Sequence, residues 1–575
     1  MKFNNKEYNI AVWNGEKLSS LISFDAETEM ITHESIIPEL ITLQIYDGSD
    51  TVYFIEPDRI AEFFDLHQNT KFIAHNAKFD MSVLQAFIGS KGLYQLYDEC
   101  RVIDTAILFR LLHLATVGHL NTRYGLDYCV KRMLNIDLPK DEEIRTTFAQ
   151  FKGKSPLEIP KAHLEYAAKD AVSTLKLYLQ LVPEIKAVDK MNTMLSHDIQ
   201  VKGDWALGCI MRNGIGFDLA RKEEWLAEQD DKLMELQRRL ANYGWVRGQK
   251  GVNQRFEDIL HWLGIKDKLP LTATGSISST KKDLEPFRAK YAFIADYLDF
   301  NELEKACQFV RDLDSNRVHS RYNLLLNTGR TSCSKPNIQN VPRIGGLREM
   351  YVPKQGHVLI DIDYSAIELA GLAQVNLREN GYSVMGDLIN EGKCLHYHTA
   401  SSVYGKPESE ITKDERQFSK IPNFGFGANM SPKTFVEYCQ NFGVEIDESR
   451  AHEVKEKWKQ TYPEMIEFFK VPRGEDTVYT LTGRARADCT YTAYLNTKFQ
   501  GLCADGLKLA MYELCKEGFT IVAEIHDQVV IEYPKDGTEE SAMKYAEEIM
   551  IKAMKQVIPD IRVSTEGQIL ERWCK

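Results

Sequence analysis

Near the N-terminus the chain carries three short apolar runs separated by turn residues: Leu21-Ile22-Ser23-Phe24, Ile41 to Ile45 and Val52 to Ile55. Runs of this length predict strands. Helix and strand patterns then interleave to about residue 185, which predicts an α/β domain with a mixed sheet. From Leu219 to Tyr243 the apolar period becomes that of a long amphipathic helix, and a second helix is predicted over roughly 298–313. Between them, Thr272-Ala273-Thr274-Gly275-Ser276 and Lys281-Lys282 predict a loop and an exposed basic tip. Residues 317–375 return to strands with one helix, 376–470 read as mostly helical, and 475–575 are mixed. A chain that leaves a sheet, builds a helical layer and returns predicts a discontinuous domain.

Composition narrows the class without fixing it. A chain of 575 residues suggests three to four domains. No stretch approaches the ~20 apolar residues of a membrane span, and the polar segment Met1 to Lys17 lacks the apolar core of a secretory signal. The eleven cysteines form no Cys-x-x-Cys pair, so neither zinc nor a disulfide framework is expected and a reducing, cytoplasmic setting is. The net charge of −12 excludes a wholly basic coat, yet a local basic groove can sit on an acidic body.

Candidate chemistry falls in two places. The first gathers carboxylates near the N-terminus. Asp25 and Glu27 close the first strand two residues apart, so they share a face. Asp80 follows the strand Phe72-Ile73-Ala74, and Asp170 lies one helical turn after Tyr166. Such a set can hold two hard divalent ions while the tyrosine hydroxyl orients a water. The neighbouring Asp104 reads as a structural strand-end carboxylate. The order and context resemble the tyrosine-bearing DEDD 3′–5′ proofreading exonucleases over roughly residues 18–185. The resemblance implies metal ligands Asp25, Glu27, Asp80 and Asp170, with Tyr166 aligning water.

The second place is built around Asp363 and Asp527. Each ends an apolar strand, Val358 to Ile362 and Ile521 to Ile525. Two converging carboxylates can hold two ions about 3.5–4 Å apart, the arrangement of in-line phosphoryl transfer. Thr412 to Phe426 reads as a helix with a Thr412/Glu415 capping box. Arg416, Lys420 and Phe424 form one stripe on it, suited to a triphosphate with a stacked base or sugar. The motif Arg416-x-x-x-Lys420-x-x-Asn423-Phe424-Gly425, with Asp363-Tyr364-Ser365-x-Ile367-Glu368-Leu369 before it and His526-Asp527 after it, resembles the family A DNA polymerases. So do Thr328-Gly329-Arg330, Pro336 to Pro342, Tyr462-Pro463 and Asn496 to Gln500-Gly501. This resemblance covers about 200–575.

The implied fold is α/β multidomain: a ribonuclease H-like exonuclease domain (1–190), then a right-hand polymerase. Its parts are a segment leading into the palm (191–219), a thumb (220–316), palm (317–375), fingers (376–474) and palm again (475–575). The implied activity is primer extension from dNTPs by two-metal nucleotidyl transfer with 3′–5′ proofreading, using two Mg²⁺ or Mn²⁺ per site. Asp363, Asp527 and the Tyr364 carbonyl hold the ions, and Lys420 donates a proton to the leaving group. Arg416, Lys420, Phe424 and His396 grip the nucleotide, and Glu368 excludes a 2′-hydroxyl. Arg330, Asn337, Gln339, Asn340, Asn496, Gln500 and His526 contact DNA. The expected partners are primer–template DNA, dNTPs and accessory replication proteins, around a monomer with no membrane association.

Several residues depart from the family pattern. Pro422 is expected to kink or loosen the nucleotide helix. Ala428 and Asn429 stand where a tyrosine and a glycine are usual, Gln528 where a glutamate is, Ala370 where an arginine is and Cys394 where an aspartate is. They cluster around the nascent base pair, which raises a preference for a modified base or unusual template. With the exonuclease motif starting at residue 25, no 5′-nuclease domain is expected ahead of it. The thumb has little room for a processivity insertion. The compact layout points to phage replication in a host cytoplasm. Two competing readings stand beside this one: an exonuclease with a degenerate, DNA-binding polymerase half, and a single-subunit RNA polymerase. Retention of Asp363, Asp527, Arg416 and Lys420 speaks against the first, and Glu368 with the attached exonuclease against the second.

Overall fold

The computed structural model describes residues 1–30, 37–120, 123–139, 141–188, 194–272, 274–440 and 442–574. The expected boundary at 190/191 and Ala273 of the predicted loop lie outside the described residues. The three apolar runs form strands Leu21–Thr28, Leu40–Tyr46 and Thr51–Ile55. They belong to a six-stranded mixed sheet ordered Asn9–Val12, Thr51–Ile55, Leu40–Tyr46, Leu21–Thr28, Lys71–Ala74, Val102–Asp104. Leu21–Thr28 is central, antiparallel to Leu40–Tyr46 and parallel to Lys71–Ala74. Helix Lys161–Val188 packs across this sheet and so brings Tyr166 and Asp170 over the end of the strand bearing Asp25 and Glu27.

A second, antiparallel sheet is ordered Thr520–Ile525, Gln528–Pro534, His357–Tyr364, Thr565–Leu570. Its central strand, His357–Tyr364, is an almost unbroken buried run, as a strand covered on both faces requires. The helices between Ile367 and Phe468 separate it in sequence from its partners. The predicted discontinuity is therefore physical. Helix Tyr491–Lys516 packs beside this sheet against helices Leu195–Asn213 and Glu539–Met554, so the two halves of the chain share one core.

Residues 240–300 build a separate small core around Trp245, Phe256, Leu260, Phe293 and Leu298. The helix expected at roughly 298–313 begins earlier, at Ala292, and ends at Arg311, because Phe293, Ile294 and Leu298 face that core. The basic tip is exposed, as expected, and its lysines are paired. Lys281 pairs with Glu302 and Lys282 with Glu437, each at 2.7 Å. Among the described residues no helix is long and apolar enough to cross a membrane.

Candidate active sites

In the first sheet, Asp25, Glu27 and Asp170 each offer an oxygen within 4.8 Å of the others. Asp80 sits in the first turn of helix Ala77–Asp98, 4% exposed, and accepts a hydrogen bond from the Ala26 amide at 2.9 Å. The Gln44 amide donates to Asp25 at 2.5 Å. Burial pushes the Asp25 carboxyl up to about 6. Burial, reinforced by repulsion from neighbouring carboxylates, pushes Glu27 and Asp80 well above the usual range. Tyr166 is raised by burial and then by the charges of Asp170 and Glu27, so its hydroxyl stays protonated. This is an all-oxygen, anionic donor set, and it fits hard divalent ions. It opens into a cleft of about 1220 Å³ that Asp25, Tyr166, Asp170 and Arg145 help to line. Asp104 lies behind it. Its carboxylate accepts from the Asn76, Ala77, Ala106 and Ile107 amides and fixes two helix starts, the structural role expected.

A pH dependence follows. Asp25, Glu27 and Asp80 have folded pKa values above their unfolded ones, so their protonated forms favour folding at low pH. For Asp25 that contribution is lost as pH rises from about 4 through about 6, and for Glu27 and Asp80 as pH rises through their own raised values. An ion bound among the carboxylates cancels the loss and releases protons. The increase in melting temperature on adding Mg²⁺ is therefore expected to grow between pH 5 and 7.5, and to grow less in an Asp25→Asn/Glu27→Gln variant. Differential scanning fluorimetry checks this; an identical pH trend in both proteins would count against the site.

In the second sheet, Asp363 faces Gln528 on one neighbouring strand and Glu566 on the other. The Tyr364 amide donates to the Asp527 carbonyl at 3.3 Å, so the two aspartates leave the sheet side by side. The flanking backbone is unusual. His526 and Ala366 hold φ of 65° and 50°, a left-handed conformation that L-residues resist. Such strain persists where the surroundings over-determine it, here at both turns beside the aspartates. Two carboxylates suit ions that complete their shells with water and substrate phosphates.

Above Asp363 lies a cleft of about 480 Å³. Helix Lys413–Gly425 carries the expected capping box, and its stripe Arg416, Lys420 and Phe424 lines that cleft. Arg416 has a buried Nε without a hydrogen-bond partner. Its other near neighbours are the Cys394 sulfur at 3.9 Å and the Tyr397 ring at 5.2 Å, so the guanidinium is poised for an anion. Phe424 is 45% exposed, an open aromatic face. His396 is pushed down to about 4 by burial and then by Arg416 and Lys420, so it is neutral at pH 7. The Asn423 amide donates to its Nδ1 at 2.9 Å, which leaves Nε2–H as the donor. Asn423 is held in turn by Thr399 at 2.8 Å and Trp458 at 3.0 Å.

Pro422 does not break the helix, which continues to Gly425. Pro422 lies in the last turn, where the hydrogen bonds of Ser419 and Asn423 anchor the helix to its neighbours. A second cavity adjoins the cleft across Tyr364, lined by Arg330, Glu368, Gln500, His526 and Asp527. Arg330 and Glu368 form an ion pair there.

A sequence model described as a 3′–5′ exonuclease matches residues 5–186, and one described as DNA polymerase family A matches residues 233–575. The chain belongs to DNA polymerase family A. It resembles the DNA polymerase I of Aquifex aeolicus, 27% identical over 542 residues that cover 88% of each chain. The DNA polymerase I of Chloroflexus aurantiacus is 26% identical over 614 residues, covering 96% of this chain and 61% of that one. In fold it is similar to a structure titled "POL domain of Pol1 from M. smegmatis complex with DNA primer-template and dNTP". That match has a TM-score of 0.74 at 18% identity and covers 98% of this chain and 99% of the other.

In this family A polymerase the expected DNA-facing residues divide. Arg330, Gln500 and His526 line the second cavity, and Asn496 lies one helical turn before Gln500. Asn340 is exposed, and Asn337 precedes the short turn Ile338–Asn340. Gln339 is turned inward. Its amide donates to Thr331 at 3.0 Å and to Glu524 at 2.9 Å, so it braces the loop that carries Arg330. Glu524, raised to about 7 by burial, also accepts from Thr331 at 2.8 Å. Lys508, lowered to about 7 by burial, donates to the Gly329 carbonyl at 2.7 Å and to Gln200 at 2.6 Å. Both neighbours of Arg330 are thus pinned by buried polar groups. Gly329 is obligatory there: φ is +95°, and a Cβ would collide with the Arg484 guanidinium.

Sequence reasoning placed Asn423 in a motif without a role and missed Gln44, Lys508, Glu524 and Asp361. Asp361 is fully buried and accepts from Gln528 at 2.5 Å and Gln568 at 3.2 Å. Its position two residues before Asp363, on the same strand face, was the available signal. At the end of the nucleotide helix Asn429 adopts φ 60° and donates to the Tyr491 hydroxyl at 2.7 Å.

Proposed function

We propose that this polymerase extends a primer 3′ end from dNTPs on a DNA template, by two-metal nucleotidyl transfer, and proofreads in the N-terminal cleft. The adjacency of Asp363 and Asp527 beneath the Arg416/Lys420/Phe424 stripe carries the reading. Mg²⁺ or Mn²⁺ held by Asp363, Asp527 and the Tyr364 carbonyl would supply Lewis acidity toward the 3′-hydroxyl and the phosphates. Arg416, Lys420 and the His396 Nε2–H orient the triphosphate and balance its charge. The 3′-hydroxyl gives its proton to solvent, its oxygen bonds to the α-phosphorus as the bond to pyrophosphate breaks, and Lys420 protonates the leaving oxygen. Phe424 stacks on the incoming nucleotide. Glu368, set by Arg330, fills the space of a 2′-hydroxyl and selects deoxynucleotides. Arg330, Gln500, Asn496 and His526 meet the minor groove, whose acceptors are alike for all correct pairs. In the exonuclease cleft Asp25, Glu27, Asp80 and Asp170 hold the ions and Tyr166 orients the attacking water.

We further propose a compact phage replicative enzyme acting as a monomer in the host cytoplasm, with accessory proteins setting processivity. A second reading is a preference for a modified base, prompted by Ala428 and Asn429 standing where a tyrosine and a glycine are usual. Equal kcat/KM for modified and ordinary dNTPs would dismiss it. Primer extension with Mg²⁺ on a defined primer–template tests the main reading. Template-directed, dNTP-specific extension is expected. Trimming alone under excess dNTP would overturn it, and a preference for rNTPs would overturn the role of Glu368.

A further inference from the structure

We infer that Arg562 is a nucleotide-contacting residue of this polymerase, which takes the terminal phosphates of the incoming nucleotide and then the departing pyrophosphate. The inference rests on the polymerase reading above and adds a second wall to its cleft. Arg416 and Lys420 come from one helix. Arg562 enters the same cleft from the loop ahead of strand Thr565–Leu570, the strand that carries Glu566 beside Asp363. The side chain is exposed, and among the described residues it makes no ion pair. The neighbouring Lys393 is instead held by Glu391 at 2.8 Å.

The backbone around Arg562 is fixed. Its amide donates to the Asn390 side chain at 2.7 Å, and Asn390 donates to the Asp560 carbonyl at 3.0 Å. Gly392, at φ +77°, leaves room for the guanidinium, since a Cβ there would stand 2.9 Å from Arg562 Nη1. A positioned, unneutralised guanidinium at the edge of a phosphate-sized cleft suits two phosphate oxygens at once. Asp363 and Glu566 occupy the sheet side of the cleft. Arg562 with Arg416 and Lys420 supplies the positive charge that the β- and γ-phosphates need.

The test uses the full chain with Arg562→Gln and Arg562→Lys, alongside Arg416→Ala. Single-nucleotide incorporation and its pyrophosphate-driven reversal are measured, together with primer–template affinity and 3′ trimming. Arg562→Gln is expected to raise KM for dNTP and for pyrophosphate about tenfold, with kcat within about twofold, and Arg562→Lys to recover part of that. DNA affinity and trimming are expected to stay as in the parent. Unchanged KM for both substrates in Arg562→Gln would overturn the inference. So would a fall in DNA affinity that accounts for the loss, because Arg562 would then be a backbone contact to DNA. If the parent does not extend primers at all, the polymerase reading fails. If Arg416→Ala raises KM and Arg562→Gln does not, only the inference about Arg562 fails.

Discussion

Asp363→Ala and Asp527→Ala are each expected to abolish primer extension while 3′ trimming continues. Asp363 ends its strand beside the turn that carries Asp527, and either aspartate alone presents half of the ligands for a pair of ions. Losing that clamp removes several kcal/mol of transition-state stabilisation. At about 1.4 kcal/mol per factor of ten, extension falls roughly 10³-fold or more. The reciprocal variant, Asp25→Ala with Glu27→Ala, is expected to lose trimming by a similar factor and keep extension. Its cluster lies on the other sheet, across the shared core. Steady-state extension and single-strand digestion by the same preparations read both activities. Extension retained by either palm variant, or trimming retained by the double variant, would refute the corresponding ligand set. The structural controls are favourable, because deleting Asp25 or Glu27 removes mutually repelling, buried charge. Those variants are expected to melt no lower than the parent without metal.

What was legible in the sequence was local. The apolar runs before Asp363, Asp527 and Asp25 folded as strands, the first and last of them central in their sheets, where a buried strand needs little else. The Thr412/Glu415 box announced its helix start, and the i, i+4, i+8 stripe put Arg416, Lys420 and Phe424 on one face. Asp104 was recognisable as structural from its place between a strand and a helix. Pro422 shows where local reasoning overreached. Proline disfavours a helix interior by about 3 kcal/mol, but near the helix C-terminus a single carbonyl loses its donor, and the hydrogen bonds of Ser419 and Asn423 hold the turn.

The rest depended on register between distant segments. Lys508 reaches Gly329 across 179 residues, and Glu524 reaches Gln339 across 185. No spacing rule connects such positions, so the inward hydrogen bonds of Gln339 were not legible. The tip lysines were legible as exposed, but their partners Glu302 and Glu437 are too remote in sequence to be foreseen. Gln528 is opaque in the sequence for the same reason, since on its own it reads only as one carboxylate fewer. Its partners are Asp361 on the adjacent strand and, through it, Gln568 on the next.

Restoring glutamate at Gln528 is therefore expected to harm the enzyme, although glutamate is the residue its family usually carries. Gln528 is 9% exposed and Asp361 is fully buried, and the amide donates directly to the carboxylate. A carboxylate in place of that amide removes the donor and sets two buried anions in contact. An unsatisfied buried acceptor costs up to about 3 kcal/mol, and more when it is charged. Gln528→Glu is expected to lose about 3 kcal/mol in urea unfolding. It is also expected to lower extension, because the disturbed strand pairs directly with the one carrying Asp363. Adding Asp361→Asn to that variant supplies an amide donor to the new carboxylate at position 528 and still accepts from Gln568, so the double variant recovers stability. The coupling between the two changes, read from a double-mutant cycle, is favourable and within the range of about 0.5–3 kcal/mol for contacting residues. A Gln528→Glu enzyme that is as stable and as fast as its parent would show that the Asp361 pairing does not govern this position. A double variant no better than the worse single would show the same. Asp361, held by Gln528 and Gln568, organises the sheet beneath the aspartates rather than adding to their charge.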